Sequence, residues 1–200
     1  MTDPISTPPG TALNRLVEAL GSDAARKGLP PVERWNPAYC GEIDMRIAAD
    51  GTWYYMGTPI RRPALVRLFS TVLRKDPERY VLVTPVERVG IAVEDVPFLA
   101  VEMAVEGEGE SRQIAFRTNV DDLVQVGPDH PLRFERDVAG GVKPYVLVRG
   151  DLWARVTRSL AMDLIGMGET KDHAGGEVFG LQVQDAFFPI APASDLEASR

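Results

Sequence analysis

Gly90-Ile91-Ala92-Val93-Glu94-Asp95-Val96-Pro97-Phe98 reads against Gly180-Leu181-Gln182-Val183-Gln184-Asp185-Ala186-Phe187-Phe188, about ninety residues further along the chain. Gly, Val, Asp and Phe recur in step at 90 and 180, 93 and 183, 95 and 185, and 98 and 188. At the same offset Gly51 meets Gly141, Tyr55 meets Tyr145, Ala64 meets Ala154 and Val66 meets Val156. The stretches between these blocks align poorly, as in a diverged duplication. Two related halves create an interface, and clefts between domains are favoured ligand sites.

Working outward, each half reads as a β-hairpin, a helix and then antiparallel strands. In the first, Ile43, Met45 and Ile47 alternate with Asp44 and Arg46, the pattern of a half-buried strand. Asp50-Gly51 signals a hairpin turn, and Trp53-Tyr54-Tyr55-Met56 is the return strand. Pro63 suits a first helical turn, and Leu65, Leu68, Phe69, Val72 and Leu73 repeat at helical spacing, which predicts a helix over 63–75. Strands follow at about 80–84, 88–94, 98–105 and 112–117. Residues 118–130 read as the crossing between halves.

The second half repeats the order. Strands are predicted over 132–136 and 144–148, separated by a turn at Gly140-Gly141. A helix capped by Asp151 runs to about 165, with Trp153, Val156, Leu160 and Leu164 as its apolar stripe. A glycine-rich loop covers 166–176, and strands at 178–184 and 187–190 close the unit. The fold class expected is α+β, because each amphipathic helix must bury its stripe on a sheet. The domains expected are a flexible segment with a short helix (1–30), an N-terminal α+β domain (31–118), a C-terminal α+β domain (119–191) and a tail (192–200). Within the first segment, Leu13, Leu16, Val17 and Leu20 predict a helix over 12–20, and the prolines of 28–37 predict an extended connector.

Two hundred residues with 44% apolar content suffice for a substantial core. A net charge of −7 argues against a general nucleic-acid or anionic-membrane binder, which needs Lys and Arg to neutralise phosphates. One cysteine, Cys40, forms no internal disulfide, and the two histidines have no zinc spacing. No apolar run is long enough to span a membrane. A reduced, cytoplasmic setting is the expectation. The glycines at 166, 168, 175 and 176 lack the Lys and hydroxyl pattern of a phosphate-binding loop, and no cofactor is expected.

Charge is segregated in the first half. Arg61, Arg62, Arg67, Arg74, Lys75 and Arg79 crowd 59–79 against Asp76 and Glu78, whereas 92–111 holds Glu94, Asp95, Glu102, Glu106, Glu108 and Glu110 and no Lys or Arg. Arg61 and Arg62 precede a helix N-terminus, where backbone N–H groups and the dipole favour an anion, and two guanidinium forks hold phosphate bidentately. Trp53 and Tyr55 offer rings for stacking; the competing reading puts them in the core. Asp44, Glu87, Glu94, Asp95 and His130 supply groups for acid–base chemistry, at spacings that match no mechanism. Asp95 and Asp185 follow strands and suit turn hydrogen bonds. Cys40 has no base beside it in sequence, which favours a buried structural role. Asn119, His130 and Arg133 lie at the junction, to line a cleft or hold the halves in register.

Several runs fall in an order that resembles a known family: Cys40 to Ile47, Asp50 to Tyr55, Gly57 to Arg62, Leu65 to Arg74, Leu82 to Glu87, Val93 to Phe98, His130 to Arg133 and Pro144-Tyr145. Together they look like the bacterial domain-of-unknown-function family numbered twelve eighty-five, over about residues 31–190. The resemblance implies a duplicated α+β core in two domains, with a C-terminal one superficially like pleckstrin-homology folds. It implies a nucleotide-like ligand between the domains and a role in signalling. It implies no catalytic residue.

The leading expectation is a non-enzymatic cytoplasmic regulatory protein that binds a small phosphorylated or nucleotide-like ligand between its halves. Arg61 and Arg62 hold phosphate, Trp53 and Tyr55 pack the ring, and Asn119, His130 and Arg133 close the cleft. One alternative is a protein-interaction module that docks a partner on sheet edges or on the helix after Pro63. The other is a hydrolase using Asp44, Glu87 or His130.

Overall fold

Alternation of apolar and polar residues builds the first sheet. A computed structural model describes residues 28–137 and 140–197. In it β1 (Tyr39–Ile47) buries Met45 and Ile47 on one face. It turns at Gly51, whose φ of 81° suits glycine, into β2 (Trp53–Tyr55) and then β3 (Thr58–Pro59). Helix α1 (Pro63–Thr71) leads to a second antiparallel meander of β4 (Leu73–Asp76), β5 (Arg79–Val83) and β6 (Arg88–Val93). Parallel pairing of β1 with β6 joins the two meanders in the order β3-β2-β1-β6-β5-β4. Trp53 stacks on Phe69 of α1, so the helix covers the face that carries Met45, Ile47 and Trp53.

The second unit repeats this plan with different segments. Its strands are β7 (Phe98–Glu106), β8 (Gln113–Thr118), β9 (Leu123–Gln125), β10 (Leu132–Arg136), β11 (Val142–Arg149) and β12 (Leu152–Val156). Two antiparallel meanders again join through a parallel central pair, β7 with β12, in the order β9-β8-β7-β12-β11-β10. Helix α2 (Arg158–Gly166) buries Ala161 and Leu164. A third, three-stranded sheet follows: β13 (Glu169–His173), β14 (Gly176–Val183) and β15 (Ala186–Pro192), with α3 (Ala193–Glu197) after it. The α+β class and the duplicated two-domain layout are thus present.

The repeat has a different phase from the one expected. The sheet counterpart of β1 is β7, and both are nine residues long. The matched glycines, Gly90 and Gly180, instead mark a local likeness. A Cβ on Gly90 meets the Tyr39 hydroxyl at 2.6 Å, and one on Gly180 meets the Phe187 ring at 2.5 Å. Each glycine leaves room for an aromatic side chain close against its strand.

Other expectations change as well. The chain divides after Asp95, not after residue 118, because β7 and β8 hydrogen-bond into the second sheet. The helix expected over 63–75 ends at Thr71, since Leu73 pairs with Leu82 in a strand ladder. The helix expected from Asp151 begins at Arg158, because Gly150-Asp151 is a hairpin turn between β11 and β12. The glycine-rich loop contains β13, and residues 193–197 of the expected tail are helical. A 3-10 turn over Val32–Arg34 interrupts the expected extended connector. The helix expected over 12–20 lies outside the described residues. No described helix is long and apolar enough to cross a membrane.

Candidate functional site

Helix α1 begins where the chain leaves β3. Ile60 donates its N–H to the Trp53 carbonyl, which carries the chain past the end of β2 and delivers Arg61 and Arg62 to the helix start. Arg62 is the N-cap residue, extended at φ −103° and ψ 102°, and no side chain caps the helix. The first turn holds no acidic residue. Pro63 lacks an N–H, and Leu65 and Val66 donate theirs to the Arg62 carbonyl. Arg61 and Arg62 are both exposed at this helix start. No described residue pairs with either of them.

Trp53 does not share that surface. It is 1% exposed and stacks on Phe69 at 6.3 Å between ring centroids, which makes it core and removes it as a ring-stacking residue. Tyr55 is half-buried. Burial, and secondarily the Asp44 carboxylate, raises its phenol above the ordinary range.

In the second unit, strand register decides which residues meet. Residues directly opposite on neighbouring strands share a face, so Arg133, Tyr145, Arg155 and Leu99 form one row. Asn119 extends it, because its side-chain oxygen accepts the Leu99 N–H at 3.0 Å and its own N–H donates to the Leu99 carbonyl. Four strand steps separate Arg133 from Asn119, about 19 Å. The two therefore share a face without converging on one group. Asn119 also acts as a backbone substitute at the end of β8. His130 lies at the sheet edge with Nδ1 3.0 Å from the Leu147 carbonyl, a contact that holds the turn before β10.

Arg133 is placed by two rings. Its guanidinium lies 4.9 Å from the Tyr145 ring centroid and 4.3 Å from that of Trp153. Tyr145, Trp153 and Arg155 were not among the expected site residues. The signal was the alternation in Leu152-Trp153-Ala154-Arg155-Val156, where residues 152, 154 and 156 are buried. The helical spacing of Trp153, Val156 and Leu160 masked it.

The expected acid–base residues are dispersed. Glu94 accepts the Ala49 N–H and pairs with Arg46. Glu87 lies in the Thr84–Glu87 turn. Asp185, expected as a turn residue, does lie in the turn between β14 and β15. Among the described residues no three His, Cys, Asp or Glu side chains gather into a metal-ligating group. Cys40 is exposed, not buried as expected, and its thiol lies 3.4 Å from the Ala38 carbonyl.

The chain matches two consecutive family domains, described as the N-terminal domain of the domain of unknown function DUF1285 over residues 30–96 and its C-terminal domain over 97–190. The boundary between them agrees with the division after Asp95. A DUF1285 family protein from Silicibacter pomeroyi DSS-3 has a crystal structure similar to this one, with a TM-score of 0.80 and 46% identity over 90% of this chain and 97% of the other. A DUF1285 family protein from Shewanella baltica OS155 matches at 24% identity and a TM-score of 0.49, over 62% of this chain and 92% of the other. No curated protein matches the chain.

Proposed function

The chain belongs to the DUF1285 family, and on that premise we propose that it is a non-enzymatic binding protein for a small phosphorylated or nucleotide-like ligand. The observation that supports this reading most is the pair Arg61 and Arg62. Two adjacent exposed guanidinium groups stand at an uncapped helix start, without an acidic residue in the first turn. Carboxylates are abundant in the chain, yet none of the described ones neutralises this pair. Phosphate fits because a guanidinium fork matches two of its oxygens and the helix dipole adds attraction.

Trp53 drops out of the ligand reading, and Tyr55 remains its aromatic residue in the first unit. In the second, Arg133 and Trp153 offer a flat cationic and aromatic surface of the kind that receives a planar ring. A regulatory role in signalling, a cytoplasmic setting and a pleckstrin-homology-like C-terminal unit belong to the same proposal. Replacing Arg61 and Arg62 together with Ala tests it: nucleotide binding is expected to vanish while the melting temperature of the free protein stays the same.

A second reading, docking of a protein partner, is favoured by Leu123. This residue is 72% exposed on β9, an edge strand of the second sheet. Strand addition there would cover it.

A further inference from the structure

The outer face of the first sheet, opposite α1, carries an uneven set of charges. Residues Arg74 and Asp76 of β4, Arg79 of β5, Arg88 of β6 and Tyr39 of β1 share it by register. Arg74 and Arg88 are mostly buried, with side chains 10% and 23% exposed. Both are paired with one carboxylate, Asp76. Its Oδ1 accepts Arg74 Nε at 2.7 Å, and its Oδ2 accepts Arg88 Nη1 at 3.1 Å. Two guanidinium groups on one carboxylate leave a positive charge largely withdrawn from water, an unfavourable state unless another acceptor is supplied. Arg74 is further served by the carbonyls of Val32 and Trp35, at 2.8 and 2.7 Å. Arg88 is not: its Nε is buried and has no described acceptor.

A third cation stands beside it. The Arg79 guanidinium lies 4.7 Å from the centre of the Tyr39 ring, and that of Arg88 lies 6.0 Å from it on a neighbouring strand. The carboxylate paired with Arg79 is Glu78, at 3.7 Å and 84% exposed, a contact that solvent screens. The chief influence on Arg79 is its hydrogen bond with the Tyr39 side chain, and Glu42, opposite Gly90, adds a weaker attraction. Gly90 leaves room for the Tyr39 hydroxyl, since a Cβ there would stand 2.6 Å from it. The phenol thus spans the two arginines with its hydroxyl over bare backbone.

We infer that Arg79, Arg88 and the Tyr39 hydroxyl form a second anion site, on the sheet face opposite α1, which takes a small phosphoryl oxyanion. Arg88 supplies the donors that Asp76 does not use, Arg79 supplies an exposed fork, and Tyr39 supplies a hydroxyl donor. This site shares no residue with Arg61 and Arg62, so either can fail without the other.

The test is a titration of the full-length protein with inorganic phosphate, followed through the arginine Nε–Hε resonances. The site predicts a saturable shift of the Arg88 resonance. It predicts affinity lowered roughly tenfold or more in Arg79→Gln and in Arg88→Gln, and unchanged in Arg61→Ala with Arg62→Ala. Arg79 is more exposed than Arg88, with its side chain 40% accessible, so its variant is expected to fold even if the Arg88 variant does not. A parallel titration with acetate separates phosphoryl from carboxylate recognition, and equal saturation by acetate overturns the phosphoryl assignment. An Arg88 resonance that does not move, or an affinity unaffected by Arg79→Gln, overturns the site.

Discussion

The Trp53 indole lies on the Phe69 ring with an interplanar angle of 21°, and this pair fastens α1 to the first sheet. Both rings are essentially inaccessible to solvent. The Trp53 Nε1 has no described acceptor, so the residue acts through its area and shape. Trp53→Ala is expected to cost about 3–5 kcal/mol in urea unfolding. Trp53→Phe, which keeps a stacked ring and deletes an unmatched donor, should cost well under half of that. Equal losses would mean that the indole N–H is bonded after all.

Gly180 and Gly90 should differ in their tolerance of alanine. A Cβ on Gly180 meets the Phe188 backbone oxygen at 2.6 Å as well as the Phe187 ring, whereas on Gly90 the nearest atoms belong to the Tyr39 and Glu42 side chains. Side-chain ends move more readily than a paired strand. Gly180→Ala is therefore expected to destabilise by about 1–3 kcal/mol and Gly90→Ala by less. Thermal melts of the two variants check the order.

Arg74 anchors the segment before β1. Its Nη1 donates to the carbonyls of Val32 and Trp35, and its Nε holds Asp76. Arg74→Ala removes these bonds and is expected to cost about 2–4 kcal/mol. It should also expose residues 28–37 to limited proteolysis ahead of the rest of the unit. Cleavage at an unchanged rate would contradict the anchoring role.

Glu94 gives the first unit a pH dependence. Its carboxyl is held below the ordinary glutamate range, first by the Ala49 N–H and then by Arg46, against an opposing effect of desolvation. Because the folded value is the lower one, the contribution is present above the unfolded value of about 4.3 and is lost as pH falls through the folded value. Glu94→Gln should separate from the parent protein above that range and converge with it in more acidic solution. The group is exposed, so the separation should be small and should shrink with salt.

The parts of the fold legible in the sequence are those where one period dominates. Met45 and Ile47 alternate cleanly, and β1 forms where they predict it. Leu132 to Arg136 is a strand as expected. Errors arise where two periods coincide. Leu73 continues the helical stripe of Leu65 to Val72, yet as a strand residue it pairs with Leu82, and that ladder prevails over one further helical turn. Trp153 and Val156 fit a helix, but the two-residue turn at Gly150-Asp151 folds them back onto β11. Of the expected site residues, Arg61 and Arg62 lie exposed at a helix start, as read. Trp53 does not, because nothing in local sequence separates a buried aromatic from a ligand-facing one. Register aligns Arg133 with Tyr145 and Arg155, and pairing at that distance in sequence leaves no local signal.

The measurement that tests the central claim most directly is a thermal-shift comparison of the parent protein and the Arg61→Ala, Arg62→Ala variant against nucleotides and cyclic and dinucleotide signals. A ligand at a hundred times its dissociation constant stabilises by roughly 2.7 kcal/mol, or about 5–10 °C for a chain of this size. The account predicts a selective shift of that order in the parent and its loss in the variant. A flat profile for the parent across micromolar affinities, or an equal shift in both proteins, would contradict it.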